Sequence, residues 1–349
     1  MRDDVRVLVL GTGHMGSGIA RLLLDKRGVA LVGAFARRAE RAGMDVGAAI
    51  GLGRDLGLPV GVDLAALIER ARPDVAIQAT CSRISDAMAE LTTLVRHGVH
   101  VISIAEEMAY PACSSPAFAD ELHWLAVARG VTVLGTGVNP GFVLDLLVVT
   151  LSAVCADVES VTATRVNDLS PYGRTVLASQ GVGLSPQAFA QGVKEGTVVG
   201  HVGFPESIHL IAAALGWDIE RIAQTREPIV ATVRRVTPVV SVEPGQVAGC
   251  HHSAVAYRDG KPVIILIHPQ QVHPHLEGVQ TGDRIEIRGT PPVCFSGSPE
   301  IPGGQATVAL AVNMVPRVMN APPGLHSMLD LPVPAALLGD ARRLVRERA

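Results

Sequence analysis

Aromatic residues are scarce in this chain: six Phe, three Tyr and two Trp among 349 residues. So few rings leave little for stacking nucleobases, on which single-stranded nucleic-acid binding relies. A basic excess is missing too, since 30 Lys and Arg face 33 Asp and Glu, for a net charge of −3. Neutralising phosphates needs that excess, so no nucleic-acid partner is expected. Lysine is nearly absent, with only Lys26, Lys194 and Lys261, and candidates for lysine-based chemistry are correspondingly few. No CxxC pair occurs among Cys81, Cys113, Cys155, Cys250 and Cys294. An odd, scattered set suits a reducing compartment better than a disulfide framework or a thiolate zinc site. The longest apolar stretch, residues 131–156, is interrupted by Asn139, Pro140, Gly141 and Asp145, which a membrane span tolerates poorly. The run Val5–Leu10 is short and leads into glycine-rich sequence, so it reads as a strand and not a signal peptide. The expectation is a soluble cytoplasmic protein with no membrane partner.

Apolar residues make up 48% of the chain and glycines number 36, ample for buried cores with many tight turns. At roughly 150 residues per domain the length suggests about two domains. In the first half, Val5–Leu10, Val29–Phe35 and residues 60–62, 75–79, 99–104 and 131–134 read as strands. Residues 17–24, Leu64–Ala71 and Ile84–Arg96 read as helices between them. This alternation predicts an α/β fold, a Rossmann doubly wound parallel sheet. In the second half, residues 158–166, 229–236, 239–242, 254–257, 263–267 and 284–288 read as strands of an open mixed sheet. Helices are expected at Pro186–Glu195 and residues 205–215, 142–153 and 307–318. The predicted organisation is a dinucleotide-binding domain over residues 1–145, an α+β substrate and dimerisation domain over 146–305, and C-terminal helices over 306–349 returning to the first domain.

Gly11, Gly13 and Gly16 form GxGxxG between the first strand and first helix. There the first glycine permits a tight turn, the second a close backbone approach to pyrophosphate, and the third close helix–strand packing. The helix N-terminus then favours a diphosphate. His14 and Met15 lie in the same turn and join the glycines as cofactor-binding candidates. The alternative is an ordinary glycine-rich turn without a ligand. NAD-preferring sites place an acid after the second strand for the ribose 2′-hydroxyl. Here Arg37 and Arg38 stand there, and no acid precedes Glu40. Adjacent guanidiniums suit a 2′-phosphate, so NADP is expected over NAD, unless the arginines only solvate a helix start. Thr80 and Cys81 follow the strand at 75–79, where small polar residues line the nicotinamide–ribose side. Cys81 lacks an activating His or Lys in the adjacent sequence, and a small buried residue is the alternative.

Glu106 and Glu107 follow the strand at 99–104 at the edge where ligands bind in this fold. If that strand extended to them, their side chains would point to opposite faces. Tyr110 lies just beyond. The segment from Gly135 to Phe142 is a glycine-rich turn in which Asn139 and Pro140 are placed to cap and start the following helix. Asn139 is a candidate for both cofactor and substrate contact, with Pro140 and Phe142 on the substrate side. In the second half, Tyr172 sits in a polar stretch with Asn167, Asp168 and Arg174, which either lines a pocket or caps the sheet. His268, His273 and His275 have the composition of a metal cluster, but flanking prolines favour an irregular loop and no Cys or carboxylate has zinc-like spacing. No metal is expected there.

The motifs GTGHMG, AEEMAYP and GTGVNPGFVLD resemble the 2,4-diaminopentanoate dehydrogenase family and its relatives, the native amine dehydrogenases, which share a dihydrodipicolinate-reductase-like N-terminal domain. HVGFPES at 201–207 and PGGQATVALAVNMVPRVMNAPPGL at 302–325 are similar to that family as well. The resemblance implies NAD(P)-dependent interconversion of an amine with a ketone or aldehyde plus ammonia. It also implies a homodimer and a carboxylate in AEE that engages ammonia or the amine. That role falls on Glu106 or Glu107, with the register open. The lysine that homoserine dehydrogenase places near the fifth strand is absent, and His251-His252 does not continue into a dihydrodipicolinate reductase segment. Two rivals remain compatible with the sequence. One is a reductase of the same fold acting without ammonia; the other is a non-catalytic NADP sensor.

Overall fold

The computed structural model describes residues 3–346. The chain forms two compact units: residues up to Phe142 together with those from Pro302 onward, and Val143–Ile301.

The first unit opens with β1 (Val5–Leu10), α1 (His14–Leu24), β2 (Val29–Phe35), α2 (Val46–Ala49) and α3 (Leu64–Ala71). It continues with β3 (Val75–Gln78), α4 (Ile84–Arg96), β4 (His100–Ser103), α5 (Pro116–Arg129) and β5 (Thr132–Gly135). Five of the six residues of β1 are buried, because this strand lies between two parallel neighbours, β2 and β3. In α4 the buried positions 84, 87, 91 and 94 follow the helical period. Residues 60–62, expected as a strand, contribute only a single bridge between Gly61 and Phe35. Pro59 and Gly61 flank Val60, and Val62 is exposed, so no second row of pairing forms. Helix α5 was not anticipated. It starts at Pro116 and ends at Gly130 in the left-handed region, but exposed Trp124 and Val127 blur its apolar stripe.

The second unit comprises α6 (Leu146–Ser152), β6 (Asp157–Asp168), α7 (Arg174–Ser179), α8 (Pro186–Glu195), α9 (Phe204–Leu215) and β7 (Arg221–Val230). Next come a small hairpin of β8 (Arg235–Val236) and β9 (Ser241–Val242), then β10 (Val247–Arg258), β11 (Lys261–Gln271), β12 (Gly282–Thr290) and β13 (Val293–Gly297). Its open sheet runs β13-β12-β6-β11-β10-β7. Only β6 and β11 pair in parallel, so the sheet is mixed. Side chains alternate across it. Ala163, Arg165, His252, Ala254, Leu266 and His268 lie on the buried face, whereas Thr164, Val166, Val255, Ile265 and Ile267 are half-buried on the other. Expected strand 229–236 is two elements, for β7 ends at Val230 before the hairpin begins. Pro228 is tolerated because β7 is an edge strand.

The chain then completes the first unit with α10 (Gly303–Asn313), α11 (Val315–Asn320) and β14 (Gly324–His326). The single helix expected over 307–318 is divided at Met314, and Pro316, in the first turn of α11, has no amide to continue the ladder. β14 adds to β5 as the sixth strand of a parallel sheet ordered β14-β5-β4-β3-β1-β2. The Thr132 hydroxyl anchors this return by donating to the Pro322 carbonyl at 3.0 Å. Strand order reverses between β1 and β3, the switch point at which ligands bind in such sheets.

Candidate active site

The glycine turn sits at that switch point. Gly11 has φ +109°, and a Cβ there would lie 2.6 Å from the Ala79 carbonyl oxygen. A Cβ at Gly16 would lie 2.0 Å from the carbonyl oxygen of Gly11. Both positions therefore require glycine. Gly13 differs: it is the exposed N-cap of α1, and a Cβ there would meet nothing within 4 Å. The turn is thus closed on the protein side and open on the other, as a backbone cradle for a diphosphate requires. His14 is exposed and Met15 half-buried beside it. The residues present fit a dinucleotide.

At the end of β2 the two arginines part. Arg38 is exposed, and its side chain makes no hydrogen bond among the described residues. Arg37 turns toward α4, where Nε donates to Glu90 Oε1 at 2.6 Å and Nη2 to the Asp86 carbonyl at 2.6 Å. Glu90 raises the Arg37 pKa further. The other Glu90 oxygen accepts from Thr80 Oγ1 at 2.5 Å. Gln78 Nε2 donates to Thr80 Oγ1 at 2.7 Å and to Cys81 Sγ at 3.2 Å. Ser103 Oγ donates to Gln78 Oε1 at 2.6 Å and accepts from the Ala105 amide at 3.2 Å. One polar chain therefore runs from Arg37 to the residue before Glu106. Sequence reasoning missed Glu90, although a signal existed: it is an acid on the apolar face marked by Ile84, Ala87, Leu91 and Leu94.

Glu106 and Glu107 do not continue β4, which ends at Ser103. They begin a 3-10 turn, Glu106–Ala109. The opposite-faces argument fails for that reason, and a different distinction replaces it. Glu107 Oε2 accepts from the Ile84 amide at 2.8 Å, at the start of α4. Glu106 is held by no such cap. Burial pushes its carboxyl pKa up, against the opposing effects of a backbone bond and the Ser82 side chain. The turn itself rests on β5, where a Cβ on Gly135 would lie 1.7 Å from the Met108 carbonyl oxygen.

Residues 136–145 form turns and no helix before Leu146. Asn139 and Pro140 are joined by a cis peptide and do not start α6. Gly141 has φ +119°, and its Cβ would meet the Gly137 nitrogen at 2.6 Å, so the chain folds back on itself here. Asp145 caps α6 instead, accepting from the Leu146 amide at 2.6 Å. Asn139 and Phe142 are half-buried and Pro140 is buried. Tyr110 is half-buried, with its phenol pKa raised first by burial and then by Asp330 and Cys113. Tyr172 belongs to the second unit, where it packs against Leu169, Leu177 and Val272.

The second unit holds a histidine cluster that the sequence left scattered. His201 lies 4.9 Å from His268 and 4.8 Å from Phe204, which lies 4.7 Å from His252. His252 Nδ1 accepts from the His201 amide at 2.9 Å, so Nε2 carries the proton toward Gln224 Oε1 at 3.0 Å. Burial lowers His201 and His252 to about 3, and lowers His268 as well. His268 is not in a loop, as the prolines suggested, but in β11, 2.9 Å from Asn167 Oδ1. Among the described residues, Asp168, His273 and His275 bring candidate metal ligands within 4.8 Å of one another. Both ring nitrogens of His273 are already engaged, by Ser170 Oγ at 3.0 Å and the Val236 carbonyl at 2.8 Å.

A parallel sheet with a glycine cradle at its switch point and a half-buried carboxylate of raised pKa at the same edge defines a Rossmann-type oxidoreductase. Family comparison narrows the class. Residues 5–104 match the dihydrodipicolinate reductase N-terminal model, and residues 142–347 match the 2,4-diaminopentanoate dehydrogenase C-terminal domain. A 2,4-diaminopentanoate dehydrogenase from Acetoanaerobium sticklandii is 44% identical over 99% of both chains. An amine dehydrogenase from Streptomyces virginiae is 24% identical, covering 95% of this chain and 98% of its own. The solved structure of the amine dehydrogenase from Mycobacterium smegmatis superposes with a TM-score of 0.85 at 29% identity, covering 96% of this chain and 98% of that one. The chain belongs to the 2,4-diaminopentanoate dehydrogenase family, a group of NAD(P)-dependent amine dehydrogenases of this fold.

Proposed function

We propose that Glu106 is the catalytic carboxylate of an NADP-preferring dehydrogenase that interconverts a small amine with a ketone or aldehyde plus ammonia. The observation that carries this is the division of labour between the two acids. Glu107 is spent on the cap of α4 at 2.8 Å, whereas half-buried Glu106 makes no such cap and burial raises its pKa. A raised carboxylate exchanges protons nearer neutral pH than an ordinary one. In the reductive direction Glu106 holds the nitrogen of ammonia, moves protons as the carbonyl oxygen leaves as water, and stabilises the iminium charge. The bound nicotinamide cofactor supplies the hydride. The glycine turn holds its diphosphate, and Arg38 meets the 2′-phosphate. Thr80, Cys81 and Asn139 are assigned to the cofactor side. Tyr110, Asn139, Pro140, Phe142 and Tyr172 are assigned to substrate contacts. A 2,4-diaminopentanoate-like diamine is the first substrate to try, on the strength of the 44% identity.

A homodimer is part of this reading. Its support is the half-buried face of the mixed sheet, where Val166, Val255, Ile265 and Ile267 offer apolar area for a second copy. A cytoplasmic location is supported by five cysteines that form no disulfide. No helix among the described residues is long and apolar enough to cross a membrane.

The test is NADPH and NADH consumption with small ketones and aldehydes, with and without high ammonia. Ammonia-dependent consumption with amine as product supports the proposal. Consumption without ammonia replaces it with a plain reductase. Tight cofactor binding with no turnover across substrate classes turns it toward a sensor.

A further inference from the structure

We infer that Glu90 is the residue that sets cofactor choice, by neutralising Arg37 and leaving Arg38, of the two arginines after β2, to meet the 2′-position with its charge uncompensated among the described residues. This rests on the dinucleotide reading of the same turn. Two adjacent arginines after β2 look in sequence like a double clamp for a 2′-phosphate. In the fold they are unequal. The Arg37 side chain remains 40% exposed, yet its charge is paired to a Glu90 carboxylate that is 9% exposed. Its Nη2 is also occupied, by the Asp86 carbonyl at 2.6 Å and Cys81 Sγ at 3.5 Å. Only Nη1 makes no hydrogen bond among the described residues. A guanidinium that already holds a carboxylate offers an incoming phosphate little net charge and half a fork.

Glu90 is itself fixed. Thr80 Oγ1 lies 2.5 Å from its second oxygen and Gln78 Nε2 lies 3.4 Å away. The carboxylate therefore stays buried beside Arg37 and does not swing into water. A buried charge keeps its influence where an exposed one is screened. The consequence is a cofactor corner with a modest preference for the extra phosphate, in which NAD remains a substantial ligand.

The test uses the full-length protein and its affinities for NADP⁺ and NAD⁺, measured by titration at low and high salt. The variants are Glu90→Gln, Arg37→Ala and Arg38→Ala. Gln keeps the size of the side chain and one oxygen for Arg37, while its NH2 faces Thr80 Oγ1, which as a hydroxyl can accept in place of donating. Glu90→Gln is expected to tighten NADP⁺ by roughly 3- to 10-fold while NAD⁺ stays within about 2-fold, with the gain shrinking at high salt. Arg38→Ala is expected to cost NADP⁺ more than Arg37→Ala does. A positioning role without charge control would weaken both cofactors together and leave their ratio unmoved; that result overturns the inference. An equal loss from the two arginine variants overturns it as well. If the wild-type protein binds neither dinucleotide, the nucleotide reading fails and the inference falls with it. Binding of both by wild type with an unmoved ratio in Glu90→Gln sinks the inference alone.

Discussion

At the scale of single residues, adjacent side chains of one type have been given different work by their neighbours. Glu106 and Glu107 differ by one position and are both half-buried, yet Glu107 caps a helix while the pKa of Glu106 is raised by burial. Glu106→Gln is expected to lower turnover by about 10²-fold or more, with cofactor affinity retained. Glu107→Gln should keep turnover within a few-fold and lose about 1 kcal/mol of stability, the usual scale for a lost helix cap. Steady-state kinetics beside thermal unfolding of both variants decide the assignment, and a reversed pattern would move the catalytic role to Glu107. The direction of the Glu106 shift adds a pH signature. Amine oxidation needs the ionised carboxylate as base, so activity should fall with acid at a pH above the ordinary carboxylate value of 4.5. That limb should vanish from the residual activity of Glu106→Gln. Arg37 and Arg38 repeat the lesson, since contacts with Cys81, Asp86 and Glu90, 44 to 53 residues away, distinguish them.

At the scale of elements, the placement of Glu106 depends on backbone packing against β5. A Cβ on Gly135 would collide with the Met108 carbonyl, so Gly135→Ala must displace the turn that carries Glu106. A shift near 1 Å is expected to cost about 10²-fold in turnover, with cofactor binding much less affected. Equal turnover in Gly135→Ala would show that the turn does not position the catalytic group. Element types were largely legible in the sequence, because β1, β2, α3, α4 and α8 carry clean periodicity or continuous apolar runs. The segment from Gly137 to Asp145 was legible only in part. The turn from Gly137 was expected and is there, but the apolar residues from Phe142 suggested that the helix starts at once; Gly141 in the left-handed region turns the chain back, and the helix waits for Asp145. Such a fold-back depends on contacts between backbone atoms, which hydropathy does not encode.

At the scale of the whole molecule, buried ionisable groups set the response to pH. His201 and His252 are held neutral with pKa values near 3 and His268 is lowered too, while an unfolded histidine titrates near 6.5. Below that value the unfolded state binds protons that the folded state refuses. Stability is therefore complete above about pH 6.5 and declines as pH falls toward the folded values. Each histidine held neutral in the folded state contributes a slope of up to about 1.4 kcal/mol per pH unit. Unfolding is expected to take up about 1.5 protons at pH 6.5, rising to nearly three at pH 5, read from the dependence of equilibrium stability on pH. Flat stability across that window would show that the cluster is hydrated or charged in the native protein.

The sequence by itself determined the parallel sheet, the glycine cradle, the acids at its edge and the family, since each is written in local periodicity or a short contiguous motif. Tertiary structure alone decided which of two adjacent acids caps α4, which of two arginines is paired to a carboxylate, and that half-buried His201 meets buried His252 and His268 in one cluster. Those outcomes depend on partners such as Ile84, Glu90 and Phe204, which lie tens of residues from some of the groups they govern. Charge pairing and burial act through space, so they appear only once the chain has folded.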